Sequence, residues 1–260
     1  MRIVVGLEYR GAGFCGWQSQ PQGCGVQDAL ETAVGAIAGV KTVVTAAGRT
    51  DTGVHASFQV AHFDVSVERP LTAWVRGVNS HLPAGVAVLW ARETGEDFHA
   101  RFAATQRGYR YVLLNHPVRP GLNAGFVGWH HRPLDADAMN RAAARLIGRH
   151  DFSAFRAAEC QAKSPVKDLR LAQIVRRGDY LLCDFQADGF LHHMVRNLMG
   201  SLIQVGAGAQ PADWLRELLE SRDRTLAAPT FDAAGLYLSH IRYPAHFDLP
   251  ESSQRWQFAT

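Results

Sequence analysis

The chain has 260 residues, which predicts one or two domains with a core large enough to need no cross-links. Hydrophobic residues make up 47% and charged residues 20% of the sequence, a balance that excludes an intrinsically disordered protein. No apolar stretch approaches the roughly 18 residues of a membrane span. Residues 1–11 contain too short an apolar run for a secretory signal, and Glu8 and Arg10 follow it directly. We therefore expect a cytoplasmic protein.

Charge is distributed unevenly along the chain. The net charge is only +3, but residues 92–177 carry 15 basic and 8 acidic side chains, whereas residues 178–260 carry 6 and 10. Of the 27 cations 24 are arginines, which grip phosphate with two parallel hydrogen bonds and stack on bases. Arginine-rich codon usage explains the excess of arginine equally well, but it does not explain the clustering. The basic middle block indicates a polyanionic partner.

The cysteines give no sign of a metal site or of a disulfide framework. Cys15, Cys24, Cys160 and Cys183 include no CxxC pair, and their spacing fits neither a zinc site nor a dense set of disulfides. We expect four ordinary reduced thiols.

The first hundred residues predict the order strand, helix, strands, helix, strand. Residues 2–9 alternate and are rich in β-branched side chains, which indicates a strand, and residues 26–38 have apolar side chains at helical spacing. Further strands are predicted over residues 42–46, 57–65 and 86–92, and a helix over 71–81.

A looser version of the same order follows. After a strand at 108–114, the Pro- and Gly-containing residues 115–133 predict a loop excursion. A helix capped by Asp135 or Asp137 is expected to reach Ile147 and to end at Gly148. The remaining predictions are strands at 169–176 and 180–186, helices at 189–206 and 211–219, and a strand at 235–243.

These elements predict an α+β fold in which two similar α/β halves share an extended, mainly antiparallel sheet with helices on one face. We expect an N-terminal domain over residues 1–100, a C-terminal domain over residues 101–246 and a polar tail over residues 247–260.

Gly11, Gly13 and Gly16 follow the first predicted strand in the GxGxxG pattern of dinucleotide-binding sites. Such a site needs a helix directly after the third glycine, where the pyrophosphate binds. Here Pro21 and Gly23 interrupt the segment. We therefore predict a glycine-rich loop and no nucleotide cofactor.

A polar loop, AGRTDTGVHA at residues 47–56, lies between two apolar strands. Gly48 and Gly53 bracket it, so it can hold the Asp51 carboxylate at a sharply defined, exposed position. Arg49 either shares a cleft with Asp51 or points away from it. A purely structural Asx turn, in which Asp51 bonds only backbone, is the alternative.

The predicted helix at 189–206 is apolar over most of its circumference, yet it carries His192 and Arg196 four residues apart on one face. A guanidinium on so apolar a helix should be paired with a carboxylate, because an isolated buried cation is costly. Asp51 and Asp188 are candidates. A surface arginine on a partly buried helix is equally compatible with the spacing.

Two further segments suit RNA. Within residues 107–111, which begin with Arg107, Tyr109 and Tyr111 alternate with cations and share one face of a predicted strand. This arrangement suits base stacking with phosphate contacts, although half-buried strand tyrosines are common. A basic stripe with the helical spacing i, i+4 and i+8 suits phosphate contact or a solvated face; it comprises Arg141, Arg145 and Arg149.

Several segments together resemble one family. AGRTDTGVHA at residues 47–56 is similar to the signature loop of the tRNA pseudouridine synthase A family. The resemblance spans about residues 1–243. It includes, in the family's order, CGWQSQ at 15–20, FHARFAATQRGYRY at 98–111, DFSAFR at 151–156, GFLHHMVRNLMGSL at 189–202 and GLYL at 235–238.

This resemblance implies an enzyme that converts uridine to pseudouridine in the tRNA anticodon stem-loop, at positions 38, 39 and 40. The RNA-binding active-site cleft would lie between the two halves. The family forms homodimers, with the RNA lying across both subunits, and uses no cofactor. We likewise expect no metal.

The resemblance also implies roles for single residues. Asp51 would be the catalytic aspartate and Arg196 its partner, while Tyr109 would pack against the target base and serve in the proton step. Arg49 would enter the RNA stack as the target nucleotide leaves it, and Leu236 would line the base pocket. We expect further RNA contacts from His55, Arg107, Arg141 and Arg145.

Two other functions fit parts of the sequence. A non-catalytic RNA-binding module would account for the basic block equally well. A metal-dependent hydrolase could use His62, Asp64 and their neighbours, although their spacing lacks the clustered ligands of a catalytic zinc motif.

Overall fold

The computed structural model describes residues 1–251 and divides the chain into two units. Unit 1 comprises Met1–Gln106 and the segment from Tyr237 onward, and unit 2 comprises Arg107–Leu236. The division differs from the predicted domains, because the last strand belongs with the N-terminal residues. Most of the predicted polar tail at 247–260 lies outside the described residues.

The regular elements follow the predicted order closely. Through the first hundred residues they are β1 (Arg2–Tyr9), α1 (Val26–Ala38), β2 (Thr45–Ala46), β3 (His55–Asp64), a π-helical turn (Ala73–Gly77), α2 (Val78–His81) and β4 (Val86–Thr94). The rest are β5 (Gln106–Asn115), β6 (Gly128–His130), α3 (Ala136–Ala144), β7 (Gly148–Asp151), β8 (Val166–Arg177), β9 (Tyr180–Ala187), α4 (Met194–Gly206), α5 (Trp214–Ser221) and β10 (Leu236–Arg242).

The sheet of unit 1 has the strand order β4-β1-β3-β10, with β2 paired to β3. β1 runs antiparallel to both β3 and β4, whereas β10 lies parallel to β3, pairing Tyr237 with His55. Because β1 is central, Ile3, Val4 and Val5 are all completely buried. The described part of the chain thus builds its first sheet from both ends of the sequence.

The sheet of unit 2 has the order β5-β9-β8-β7, all antiparallel, with the short β6 parallel to β5. α3 packs on β8 and on α4. Most residues of α4 are buried, including Leu198, Met199 and Leu202. The prediction of an α+β fold with mainly antiparallel strands is therefore confirmed.

The predicted helix from residue 135 is shorter than expected. Asp135 caps it by accepting a hydrogen bond from Ala138, but α3 ends at Ala144, and Gly148 begins a strand with φ at 120°. Arg149 consequently lies on β7. The predicted helical stripe of three arginines is wrong, because the glycine redirects the backbone before the third of them.

The predicted helix at 189–206 starts later than expected. α4 begins at Met194, after a turn in which the Met194 N–H donates to Leu191 O, and His193 has φ at 60°. His192 therefore precedes the helix and does not share a helical face with Arg196. The prediction failed because the apolar pattern continues through the turn.

The prediction of four reduced thiols is wrong for one pair. Cys15 and Cys24 form a disulfide with Cα atoms 5.4 Å apart, and the Cys15 N–H donates to Cys24 O at 2.9 Å. Cys160 and Cys183 are free and buried, and burial raises the pKa of the Cys183 thiol.

No helix within residues 1–251 is both long enough and apolar enough to cross a membrane.

A buried amide ties α4 to two loops of unit 2. The Asn197 side chain is completely buried; its Nδ2 donates to Phe155 O at 2.8 Å. Its Oδ1 accepts from the Thr230 hydroxyl at 2.7 Å and from the Arg224 guanidinium at 3.1 Å. One side chain thus satisfies three polar groups, of which the Phe155 carbonyl is buried and the other two are half-buried.

We expect Asn197→Leu to lower the free energy of unfolding by about 3 kcal/mol, because it leaves those polar partners unsatisfied. Urea denaturation measures the loss. The control is Asn123→Leu, which removes one hydrogen bond to the Tyr180 hydroxyl and should cost about 1 kcal/mol. Equal losses in the two variants would contradict this account.

Candidate functional site

The loop at residues 47–54 is fastened to the sheet where it begins. The Ala47 N–H donates to Val60 O at 2.8 Å, continuing the ladder between β2 and β3. The Gln59 side chain, completely buried, donates from Nε2 to Gly48 O at 2.7 Å. A buried amide at this position fixes the backbone at Gly48, the residue directly before Arg49.

Thr50 is held from both its side chain and its backbone. Its hydroxyl lies 2.8 Å from the Tyr9 hydroxyl, and its carbonyl accepts from the Trp17 N–H at 2.9 Å. Tyr9 is 4% and Thr50 6% exposed. Burial raises the pKa of Tyr9, so its hydroxyl stays protonated as a hydrogen-bonding group. We name Tyr9, Thr50 and Gln59 the loop clamp.

The glycine-rich segment after β1 packs directly on this loop. Gly16 has φ at 92°, and a Cβ there would lie 2.7 Å from Thr50 O and 3.1 Å from the Asp51 carbonyl carbon. At Gly11 a Cβ would overlap the Val54 carbonyl. These glycines therefore permit close contact between two backbones, as a glycine-rich loop rather than a nucleotide site.

Asp51 itself is half-buried at the tip of the loop. The Val54 N–H donates to Asp51 O at 3.1 Å, and Gly53 has φ at 79°, so a tight turn follows the aspartate. The neighbouring Arg49 is exposed. The structure thus presents a carboxylate whose backbone is fixed on both sides and whose side chain is partly accessible.

His55, predicted to contact RNA, is 1% exposed. Its Nδ1 accepts from the Gly11 N–H at 3.0 Å, and its ring stacks on Tyr237 with centroids 4.6 Å apart. Because His55 is buried, it has no surface that a nucleic acid could contact, and the predicted RNA contact is wrong. His55 instead supports the loop through its contacts with Gly11 and Tyr237.

In unit 2 the two predicted strand tyrosines have different surroundings. Tyr111 is completely buried, and its hydroxyl donates to Asp232 O at 2.9 Å. Tyr109 is half-buried and meets Phe190 edge to face, with ring centroids 5.1 Å apart. Tyr111 is therefore a core residue, whereas Tyr109 keeps part of its ring accessible.

Arg196 is anchored to the segment that precedes β10. Its Nε donates to Phe231 O at 2.8 Å, and the Phe231 N–H donates to Arg196 O at 3.1 Å. The Phe231 ring lies 5.7 Å from that of Tyr111. Leu236, at the end of this segment, is 4% exposed. The predicted pairing of Arg196 with Asp51 stays a prediction.

The other candidate for pairing with Arg196 is engaged elsewhere. The Asp188 carboxylate accepts from the Asp168 N–H at 3.0 Å, and its backbone carbonyl accepts from Arg107 at 3.1 Å. Within unit 2 the Asp188 carboxylate therefore satisfies a backbone N–H of β8, and the half-buried Arg107 side chain is held beside Asp188.

The two arginines expected to contact phosphate lie on the surface. Arg141 is exposed on α3, and Arg145 forms an ion pair with Asp213 at 2.6 Å. Both partners of that pair are more than one third exposed, so it contributes little stability and can exchange for another anion.

The hydrolase alternative loses its basis in the structure. Both Asp64 oxygens accept from Arg2 at 2.8 Å, and His62 Nδ1 accepts from the Ala100 N–H at 3.2 Å. Burial, followed by the charge of Arg2, lowers the pKa of His62 to about 4. The Asp64 carboxylate and the His62 ring thus form hydrogen bonds that connect separate segments of unit 1.

The comparisons with known proteins agree on one family. A tRNA pseudouridine synthase family model matches residues 7–103 and 142–244. The chain is 79% identical over 259 residues to tRNA pseudouridine synthase A of Thiobacillus denitrificans, with 100% of both chains covered. Its identity is 60% over 251 residues to that of Dechloromonas aromatica and 61% over 252 residues to that of Chromobacterium violaceum, with 96% of each chain covered.

We expect Gly16→Ala to destabilise the protein by about 1–2 kcal/mol more than Gly13→Ala. Both glycines have positive φ, at 92° and 97°, so both variants carry the same backbone strain, but a Cβ at Gly13 meets nothing within 4 Å. Urea unfolding measures the difference, and amide exchange at Thr50 and Asp51 localises it. Equal destabilisation would show that the close backbone contact contributes nothing.

Proposed function

Since the chain belongs to the tRNA pseudouridine synthase family, we propose that its conversion of uridine to pseudouridine in tRNA depends on the carboxylate of Asp51. The observation that carries this proposal is the fixed, partly accessible position of Asp51 between the loop clamp and the turn at Gly53. We further propose that the target uridines lie at positions 38, 39 and 40 of the anticodon stem-loop.

The reaction is an isomerisation. The N1–C1′ bond breaks, the base turns, and a C5–C1′ bond forms; the C5 proton is lost and N1 gains one. No atom is oxidised and no water is consumed. The protein must therefore supply a group that handles the sugar or the ring while the base is detached, together with a group that moves the proton.

An ionised carboxylate suits the first task. Asp51 acts either as a nucleophile or as a negative charge that stabilises an electron-poor sugar, and both routes need the deprotonated form. The guanidinium of Arg196 would favour that form, because a nearby positive charge stabilises the carboxylate. The backbone carbonyl and the Nε of Arg196 both form hydrogen bonds to Phe231, and these bonds restrict the orientation of the two terminal guanidinium nitrogens.

The clamp explains how the carboxylate is aimed. A displacement of about 1 Å can cost a reaction a hundredfold, because reacting atoms must lie within about 3–3.5 Å. Thr50 is hydrogen-bonded to two other segments of unit 1, through Tyr9 and Trp17, and Asp51 is the next residue. The polar groups of the clamp are buried and hydrogen-bonded, so they hold the loop without competing for substrate.

Tyr109 suits the second task. Its ring is supported by Phe190 and keeps an accessible part, as a surface that packs against the target base must. Its hydroxyl would take the proton from C5 during the final step. Leu236, buried at the start of β10, would line the pocket for the uracil ring.

A uridine in a stem must leave the helix before it can react, at a cost of a few kcal/mol. Arg49 is exposed beside Asp51 and would occupy the vacated space with its planar guanidinium. Arg107, Arg141 and Arg145 would bind phosphates along the path of the RNA.

We propose that two copies of the chain form a homodimer across which one tRNA lies, and that they act in the cytoplasm.

A non-catalytic RNA-binding module, which the basic residues between 92 and 177 also suggested, is set aside because the chain belongs to a family of isomerases. Both functions predict tRNA binding that weakens as salt concentration rises, so only the formation of pseudouridine distinguishes the enzyme from the binding module.

We expect Asp51→Asn to slow tritium release from tRNA labelled at uridine C5 by about a thousandfold or more, because the amide carries no charge and is a poor nucleophile. Binding of tRNA should persist. The matched control is Asp179→Asn, which changes an exposed carboxylate in the turn between β8 and β9. Tritium release by Asp51→Asn at the wild-type rate would refute the role of Asp51.

We expect Tyr109→Phe to reduce the single-turnover rate about a hundredfold at saturating tRNA, with little change in affinity, because it removes the hydroxyl and keeps the ring. Tyr111→Phe is the control; it deletes a buried hydroxyl and should cost about 1 kcal/mol of stability with an unchanged rate. A wild-type rate for Tyr109→Phe would leave Tyr109 as a packing residue only.

A further inference from the structure

Residues 98–103, here called the Phe102 turn, present an aromatic ring to solvent in unit 1. Phe102 is 76% exposed, which makes it the most exposed aromatic side chain among residues 1–251; the next, Trp129, is 38% exposed. Single exposed apolar side chains are ordinary on protein surfaces. Phe102 differs from such residues because a neighbouring ring and several hydrogen bonds hold its ring and backbone in place.

The inner face of Phe102 is covered by another ring. His99 stacks on it with centroids 4.3 Å apart and planes at 28°. His99 Nδ1 accepts from the N–H groups of Arg101 at 3.2 Å and Phe102 at 3.3 Å, so its orientation is set by the backbone. Burial and the charge of Arg2 lower the pKa of His99, so the ring stays neutral near pH 7.

The turn is also fastened to the sheet of unit 1. Arg2 on β1 donates to Phe98 O at 2.7 Å. The Ala100 N–H donates to His62 Nδ1 at 3.2 Å, and Ala100 O accepts from the Tyr243 hydroxyl at 2.7 Å. Phe98 itself is completely buried. Side chains from three strands or their ends therefore hold the backbone beneath an outward-facing ring.

A cation lies over the exposed ring. The Arg101 guanidinium carbon is 5.7 Å from the Phe102 centroid, and Arg101 is exposed. A rigid aromatic face next to a cation is the combination with which proteins bind single-stranded nucleic acid, the ring stacking on a base and the cation meeting the adjoining phosphate.

We propose that Phe102 is a stacking platform for an unpaired nucleobase of the tRNA and that Arg101 contacts the neighbouring phosphate. This inference rests on the proposed function, since it takes tRNA as the ligand.

The base bound there is not the uridine that reacts. His62, whose ring lies 4.9 Å from His99, is seven positions along β3 from His55, which supports the Asp51 loop. At about 3.3 Å per strand residue, the platform lies roughly 20 Å from that loop. It would therefore read a second, unpaired part of the same tRNA and contribute affinity rather than chemistry.

A second copy of the chain is the other occupant that an exposed ring could meet. A stable protein interface needs about 800 Å² from each partner. One ring flanked by an arginine instead matches a single nucleotide in size and complements the negative charge of its phosphate. The observations thus favour the base, and the experiment separates the two.

The experiment measures the Kd of the full-length protein for unmodified tRNA, by filter binding, with Phe102 replaced. We expect Phe102→Ala to raise Kd by about tenfold or more, the range for losing one base stack. Phe102→Trp should bind like wild type, whereas Phe102→Leu, which keeps apolar area without a π-face, should resemble Phe102→Ala. The single-turnover rate at saturating tRNA should stay within about twofold, since the platform is remote from the chemistry.

Leu122→Ala is the matched control, because Leu122 is 97% exposed, and it should change nothing. Thermal unfolding of the Phe102 variants should match wild type, because little of the outer face is buried. Arg101→Gln should lower the dependence of log Kd on log salt by about one phosphate contact.

Two results would overturn the platform. Wild-type affinity in Phe102→Ala is one; the other is wild-type behaviour of Phe102→Leu combined with dissociation of an oligomer by Phe102→Ala in light scattering, which would assign the ring to a protein contact. If wild-type protein releases no tritium from tRNA, the proposed function fails instead, an outcome distinct from an active enzyme that ignores Phe102.

Discussion

The hydrogen bond between the buried hydroxyls of Tyr9 and Thr50 is the constraint on which the rest of the site depends. It joins the first strand of the protein to the residue before Asp51, and Gln59 extends it to the start of the loop. A flexible aspartate would face many directions, and only a small fraction would suit a detached base. The chain thus places the Asp51 carboxylate, which we propose to be catalytic, beside buried polar groups, and the surrounding glycines let two backbones pack closely there.

In unit 2 the proposed site residues are likewise held in place by neighbouring side chains and backbone groups. Tyr109 and Arg196 each keep part of the side chain accessible while a neighbour, Phe190 or Phe231, fixes the remainder. In both units the proposed reacting groups are therefore held in place by other residues, among them apolar rings and backbone groups. Enzymes commonly set reacting groups on such rigid surroundings, because ordering them during the reaction would raise the barrier.

Much of this architecture could be predicted from the sequence, and the failures share a cause. The strand at 2–9 and the helix at 26–38 follow from local periodicity, and the glycine-bracketed loop at 47–56 was a candidate site from composition and resemblance. Gly148 ended a helix early and His55 proved to be buried, because backbone angle and tertiary contact decide such cases. The loop clamp joins residues distant in sequence, and the disulfide joins two cysteines nine residues apart whose spacing matches no known disulfide pattern; no local pattern signals either contact.

The return of β10 to the first sheet has a consequence for how the enzyme is made. Tyr237, against which His55 stacks, belongs to the last strand, whereas the aspartate loop that His55 supports is translated near the beginning. While the ribosome is still adding the final residues, β3 has an open edge and His55 has no ring to rest on. The loop at residues 47–56 therefore gains the support of Tyr237 only after β10 has been translated.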